Sequence, residues 1–235
     1  MTGSVDRDSY ASEFAARLQQ IRAQIALSAR TAHRSVTDIE LVAVSKTLED
    51  YQIDTALQHG LRVFGENRVA EAEAHWAHRR AQYPDLKLHL IGPLQSNKIK
   101  RAVALFDVIE TVESAAQIDE IAGQCARQNR SLSCFIQVNI GAEPQKSGVA
   151  IAHLPRLAAY ARARDFPIDG LMAIPPQGAP AGLYFGLLKK LAAREGLERL
   201  SMGMSNDYPA AIAFGATAIR IGTALFGERK QIPTP

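Results

Sequence analysis

Apolar residues recur along this chain with two different periods. The opening segment carries Phe14, Leu18, Ile21, Ile25 and Leu27 at roughly helical spacing, which predicts a helix from about Ser9 to Arg30. Beyond it, short β-like runs alternate with helical patterns. The predicted strands are Ile39–Ser45, Arg62–Gly65, Lys87–Ile91, Val108–Val112, Ser133–Ile140, Ile168–Ile174, Leu200–Met204 and Ala218–Gly222. Helical patterns cover Glu49–His59, Arg68–Ala81, Ala115–Gln128, Leu154–Arg164, Leu183–Arg194 and Tyr208–Phe214. The Pro- and Gly-rich stretch Ile174–Gly182 reads as one loop. Strands alternating with helices make a parallel sheet, and eight strands close a barrel. The expected fold is therefore α/β: a single (β/α)8 barrel of the TIM type over about residues 37–230, preceded by the N-terminal helix, with 1–235 as one domain. An open doubly wound sheet is the competing arrangement. No GxGxxG follows the first strand, which weakens its dinucleotide-binding form.

Alternation within the strands sorts their residues. Alternate positions of a barrel strand face the lumen, and the others face the helices. On the last strand Ile219 and Ile221 suit the helix side, so Ala218, Arg220 and Gly222 point inward. On the first strand Val42, Val44 and Lys46 share a parity; His89 opposes Leu88 and Leu90 on the third. Gln137 and Asn139 oppose Ile136, Val138 and Ile140 on the fifth. Lys46, His89, Asn139 and Arg220 are thus expected to converge near the C-terminal mouth, where such barrels keep their sites.

Lys46 is the most informative of these. It closes the run Leu41-Val42-Ala43-Val44-Ser45-Lys46. An ammonium at the end of a buried strand loses solvation, which favours the free amine, a nucleophile for a carbonyl. The bland alternative is a lysine that snorkels to the surface. Two later segments suit an anion. Ser201 to Asp207 ends strand seven, and Arg220 to Gly227 ends strand eight. The loops after these strands are the usual phosphate cradle of a barrel. Ser205 and Thr223 offer hydroxyls there, and Gly203 and Gly222 allow a phosphate to approach the backbone. Asp207 is expected to cap the next helix. An amine, a phosphate cradle and an inward arginine together match pyridoxal 5′-phosphate, held as an aldimine on Lys46. Arg220 stays protonated, so it would donate to an unprotonated ring nitrogen and weaken the ring as an electron sink.

Composition narrows the partners. Of 235 residues, 47% are hydrophobic and 22% charged, the balance of an ordinary globular protein. Lys and Arg number 27 against 24 Asp and Glu, with no basic block interleaved with aromatics, so no nucleic acid is expected. Cys125 and Cys134 read as thiols of a reducing compartment, outside any metal-ligand spacing. Met1 to Tyr10 has no apolar h-region, and no apolar stretch reaches membrane-spanning length. The expected location is cytoplasmic.

The motifs now add up to a resemblance. They are Ala43 to Thr47, Phe64 to Arg68, His89 to Lys98, Gln137 to Asn139 with Glu143 to Gly148, Ser201 to Asp207, and Arg220 to Gly227. In this order the chain closely resembles the pyridoxal phosphate homeostasis protein family, barrels similar to the N-terminal domain of alanine racemase. The likeness covers about residues 10 to 230. It implies Lys46 as the Schiff-base lysine, Ser205, Gly222 and Thr223 at the phosphate, and Arg220 at the pyridine nitrogen. It implies Asn67, His89 and Met204 as further residues lining the cofactor. No metal is implied. The resemblance implies a cofactor-binding protein of vitamin B6 homeostasis without robust turnover, and so no catalytic residue. Its partners would be the cofactor and the apo-enzymes that accept it, its state a monomer. Alanine racemase adds a C-terminal β domain and a tyrosine from its partner subunit, and no counterpart is expected here. The competing readings are an amino-acid racemase or lyase-type enzyme, with His89 as second acid/base, and a class I aldolase-like barrel.

Overall fold

The structure, a computed structural model, describes residues 6–228. It opens with α1 (Arg7–Thr31), whose first turn is capped by the Asp6 carboxylate accepting the N–H groups of Asp8 and Ser9. The α1 face formed by Phe14, Leu18, Ile21 and Ile25 is buried. It rests on α8 (Tyr208–Ala213) and α9 (Thr223–Phe226), with the Phe14 and Phe226 ring centroids 5.6 Å apart. Arg17 Nε donates to Leu225 O at 2.9 Å, fixing the helix against α9.

Nine strands follow: β1 (Glu40–Val44), β2 (Val63–Glu66), β3 (Lys87–Leu90), β4 (Val108–Val112), β5 (Ser133–Asn139), β6 (Val149–Ala150), β7 (Ile168–Met172), β8 (Arg199–Met204) and β9 (Ala218–Ile221). All pair in parallel, in the order β4-β3-β2-β1-β9-β8-β7-β5, and a β4–β5 pairing closes the ring. The two residues of β6 pair with the end of β5, outside that ring. The result is the expected eight-stranded barrel behind an N-terminal helix. The remaining helices are α2 (Asp50–Gln58), α3 (Val69–Trp76), α4 (Ile99–Leu105), α5 (Ala115–Gln128), α6 (Leu154–Arg162) and α7 (Ala181–Arg194).

Parity sorts the core into two bodies. Ala43, Phe64, Leu88, Leu90, Ile109 and Ile219 belong to the large outer layer between strands and helices. The apolar cluster that belongs to the other parity is small: Val108, Phe135 and Met172, with Ile174 against them. Polar and charged residues occupy much of the remaining lumen.

Strand boundaries match the expected ones to within two residues. The helices differ more. α4 was not expected, although its buried Ile99, Ala102 and Val103 fall at helical spacing. The third helix stops at Trp76, not Ala81, because residues 77–82 run as turns. Among the described residues, no helix is long and apolar enough to cross a membrane, and no group of three or more His, Cys, Asp or Glu is placed to hold a metal. Cys125 and Cys134 are free thiols, and burial pushes the pKa of each up.

Candidate functional site

Lys46 lies two residues past the end of β1, half-buried at the C-terminal mouth of the barrel. Its neighbours hold the backbone on both sides. Ser45 donates its N–H to Gly65 O at 3.0 Å and its hydroxyl to Glu66 Oε1 at 2.7 Å. Glu66 is fully buried, and the same oxygen accepts His75 Nδ1–H at 2.8 Å and Trp76 Nε1–H at 2.9 Å. Thr47 sits at φ 61°, in the left-handed region where a β-branched residue is strained. The Glu71 carboxylate accepts the Thr47 N–H and holds that turn. Burial alone would lower the pKa of His75, but the hydrogen bond and charge of Glu66, helped by Glu71 and Asp50, raise it.

The strand order brings β9 beside the strand that leads into this lysine. β1 pairs with β9, Val42 opposite Arg220 and Ala43 opposite Ile221. Val44 therefore stands beside Gly222, where an added Cβ would lie 3.5 Å from the Val44 Cβ. Lys46 follows Val44, the neighbour of Gly222, by two positions. The loops after β8 and β9 are joined by Ala224 N–H, which donates to Ser205 Oγ at 3.2 Å. Thr223 is exposed and opens α9; Met204 is exposed at the end of β8. Two expectations in this loop take another form. Asp207 does not cap α8 with its side chain; its carboxylate accepts Met204 N–H at 2.6 Å and tightens the turn. Gly203, at φ +92°, is demanded by helix packing, since a Cβ there would come within 2.5 Å of the Ala211 Cβ.

Arg220 points into the lumen, as parity required, and is 4% exposed. It donates through Nη1 to Ser201 Oγ at 2.5 Å and through Nη2 to Ala173 O at 3.0 Å. Ser201 in turn donates to Glu110 Oε2 at 2.6 Å, and His89 Nδ1–H donates to Glu110 Oε1 at 2.7 Å. Every residue of this line except Arg220 has no exposed surface. Burial acts to raise the pKa of Glu110, but the hydrogen bond and charge of His89, the charge of Arg220 and the Ser201 hydroxyl together lower it. Burial lowers the pKa of Arg220, against the charges of Glu110 and Asp207.

His89 meets Arg220 inside the barrel, as expected, but through Glu110. Its second ring nitrogen lies 3.4 Å from Glu40 Oε2, so both nitrogens face carboxylates. Asn139 turns away from this group. Its amide donates to Glu143 O at 2.8 Å and to Lys146 O at 3.3 Å, and its Oδ1 accepts Glu143 N–H at 3.1 Å, building the loop after β5. Asn67, half-buried past β2, is fixed by a close backbone approach: a Cβ at Gly92 would strike Asn67 O at 2.2 Å. Sequence reasoning missed Glu110 and Glu66 as site residues. Glu110 carried a signal, since it shares Val108's parity in the otherwise apolar run Val108 to Val112.

This is a barrel of the alanine racemase N-terminal kind, and the sequence pattern of that family, "Alanine racemase, N-terminal domain", matches residues 16–230. The pyridoxal phosphate homeostasis protein of Escherichia coli strain K12 is 38% identical over 227 residues, spanning 92% of this chain and 97% of the relative. PipY of Synechococcus elongatus PCC7942, solved with PLP bound, superposes with a TM-score of 0.77 at 36% identity, over 91% of this chain and 100% of PipY. Alanine racemase of Clostridium difficile 630 shares the fold alone: TM-score 0.66, 10% identity, 91% of this chain and 58% of that one. The chain belongs to the pyridoxal phosphate homeostasis protein family.

Proposed function

We propose that this protein binds pyridoxal 5′-phosphate and holds it for vitamin B6 homeostasis, through a covalent bond to Lys46. The observation that carries the reading is the joining of three elements at one mouth. The braced Lys46 turn leaves β1 beside the Gly222–Thr223 turn, and that turn is tied to Ser205 by the Ala224 amide. The residues present fit the cofactor. Ser205, Thr223 and the backbone at Gly222 would hold the phosphate; Arg220, a buried cation with two of its nitrogens already placed, would face the ring nitrogen. Asn67 and Met204 stand at the rim as lining residues. His89 would support the ring from below, through Glu110. The cofactor supplies an aldehyde that condenses with an amine and a ring that withdraws electrons from it. The chain's part is to present the lysine, neutralise the anion and keep a donor at the ring.

Every residue named comes from one chain, so a monomer suffices. The receiving partners are apo-enzymes that need the cofactor. Two free thiols suit a reducing compartment and support a cytoplasmic location.

The test is an absorbance spectrum of the purified protein with pyridoxal phosphate, before and after borohydride, with peptide mapping. We expect a visible band and a reduced adduct on Lys46. Lys46→Ala should lose both. An adduct that maps to Lys98 or Lys146 in the unmodified protein refutes the assignment.

A further inference from the structure

Behind Arg220 the lumen of this barrel holds an ordered polar line of Ser201, Glu110 and His89. Its members come from opposite sides of the ring. Counted along the strand order, β4 and β9 are four steps apart in either direction, so Glu110 and Arg220 sit on facing staves. Even so, Arg220 Nη1 and Glu110 Oε2 approach to 3.6 Å, with the Ser201 hydroxyl between them. The bonds converge on Glu110 from both sides. Arg220 donates to Ser201, Ser201 donates to Glu110, and Glu110 also receives His89.

From this geometry we infer that Glu110 is a positioning residue: acting through Ser201, it orients the Arg220 guanidinium and balances its charge, and so sets the electrostatics of the cofactor ring. The inference rests on the proposed function. A guanidinium is a planar fork, and engaging two of its nitrogens fixes its plane. A cation buried in this way also needs a compensating charge, or the desolvation cost stays uncompensated. Glu110 supplies it from across the lumen. Other charged groups act on the same line. Glu40 faces the second nitrogen of His89, and Lys87 is paired to Glu40 at 2.6 Å. Arg199 lies 3.6 Å from Glu40 and pairs with Asp169 at 3.3 Å. Asp207 acts on Arg220 from the loop after β8. Glu110 is the carboxylate in this group that reaches both Ser201 and His89.

The consequence is spectroscopic. Without the Glu110 charge, Arg220 is an uncompensated cation beside the loaded site and disfavours a further proton there. The pH at which the visible band of the loaded protein titrates should fall. Glu110→Gln keeps the size of the side chain while removing its charge and turning one of its two acceptor atoms into a donor. We expect it to lower that midpoint and to weaken pyridoxal phosphate binding by about 10- to 100-fold, the range typical when a group that orients a ligand residue is lost. Ser201→Ala breaks the link but keeps the charge. It should weaken binding in the same direction with a smaller change in midpoint, and it decides the matter if Glu110→Gln does not fold. Variants that bind as tightly as wild type, with an unmoved midpoint, overturn the inference alone. A wild-type protein that develops no visible band with pyridoxal phosphate overturns the proposed function and this inference with it.

Discussion

Glu66 accepts three hydrogen bonds on one carboxylate oxygen, while the other is buried with no partner among the described residues. Its three donors differ in kind. Ser45 and Trp76 are neutral at all ordinary pH, whereas His75 titrates and has a side chain 12% exposed. Because the folded state raises the pKa of His75, it holds that proton more tightly than the unfolded chain does. The stability gained is complete below the unfolded histidine value of about 6.5 and is lost as pH rises through the higher folded value. We therefore expect the free energy of urea unfolding to decline across that window. His75→Gln keeps a donor but takes no charge, and should flatten the slope; an unchanged slope would place the titrating group elsewhere. At this scale the sequence was uneven. Lys46 and Arg220 were legible because a charged residue at a fixed parity in an apolar run stands out. Glu110 met the same criterion on β4 and was passed over. Glu66 was different: its partners Ser45, His75 and Trp76 come from separate elements, and no local pattern pairs them.

The element scale was more legible, since a strand in a parallel barrel is buried on both faces and reads as a short apolar run. Residues 99–105 carried only a short signal, Ile99, Ala102 and Val103 at helical spacing. Loops were the hardest to read, and β8 with its following turn shows why. Gly203 looked like an opening for a phosphate, but it is where α8 comes closest to the sheet. A side chain there would meet Ala211 at 2.5 Å and would also have to hold φ +92°. Gly203→Ala should therefore cost about 2 to 3 kcal/mol, from backbone strain and overpacking together. The check is the urea midpoint with its slope unchanged. A loss below about 0.5 kcal/mol, the range of ordinary surface substitutions, would mean that α8 shifts freely and does not set this loop.

At the scale of the whole molecule, closure of the ring puts chemistry where no stretch of sequence holds it. β1 and β9 are distant in the chain yet adjacent in the barrel, and this sets the end of β1, two residues before Lys46, beside the end of β9. Alternation of strands and helices made the barrel legible, and the strand order followed from it. The facing of β4 and β9 across the lumen could have been deduced in the same way, but the 3.6 Å approach of their side chains could not. The same arrangement bears on turnover. A catalyst built on this cofactor must hold an acid or base where a proton leaves or arrives in the transition state. His89, the inward histidine, has one nitrogen bonded to Glu110 and the other facing Glu40, and it has no exposed surface. Under the proposed function Arg220 would meet the ring as a donor that does not accept a proton, which would limit how far the ring can draw electrons. We expect the loaded protein to exchange the α-proton of alanine and other small amino acids only slowly in deuterated water. Exchange or racemisation at about 1 to 1,000 per second, the range of ordinary enzymes, would make this barrel a racemase or lyase-type catalyst instead of a carrier. A rate that collapsed in His89→Ala while the visible band remained would identify the histidine as the group that moves the proton.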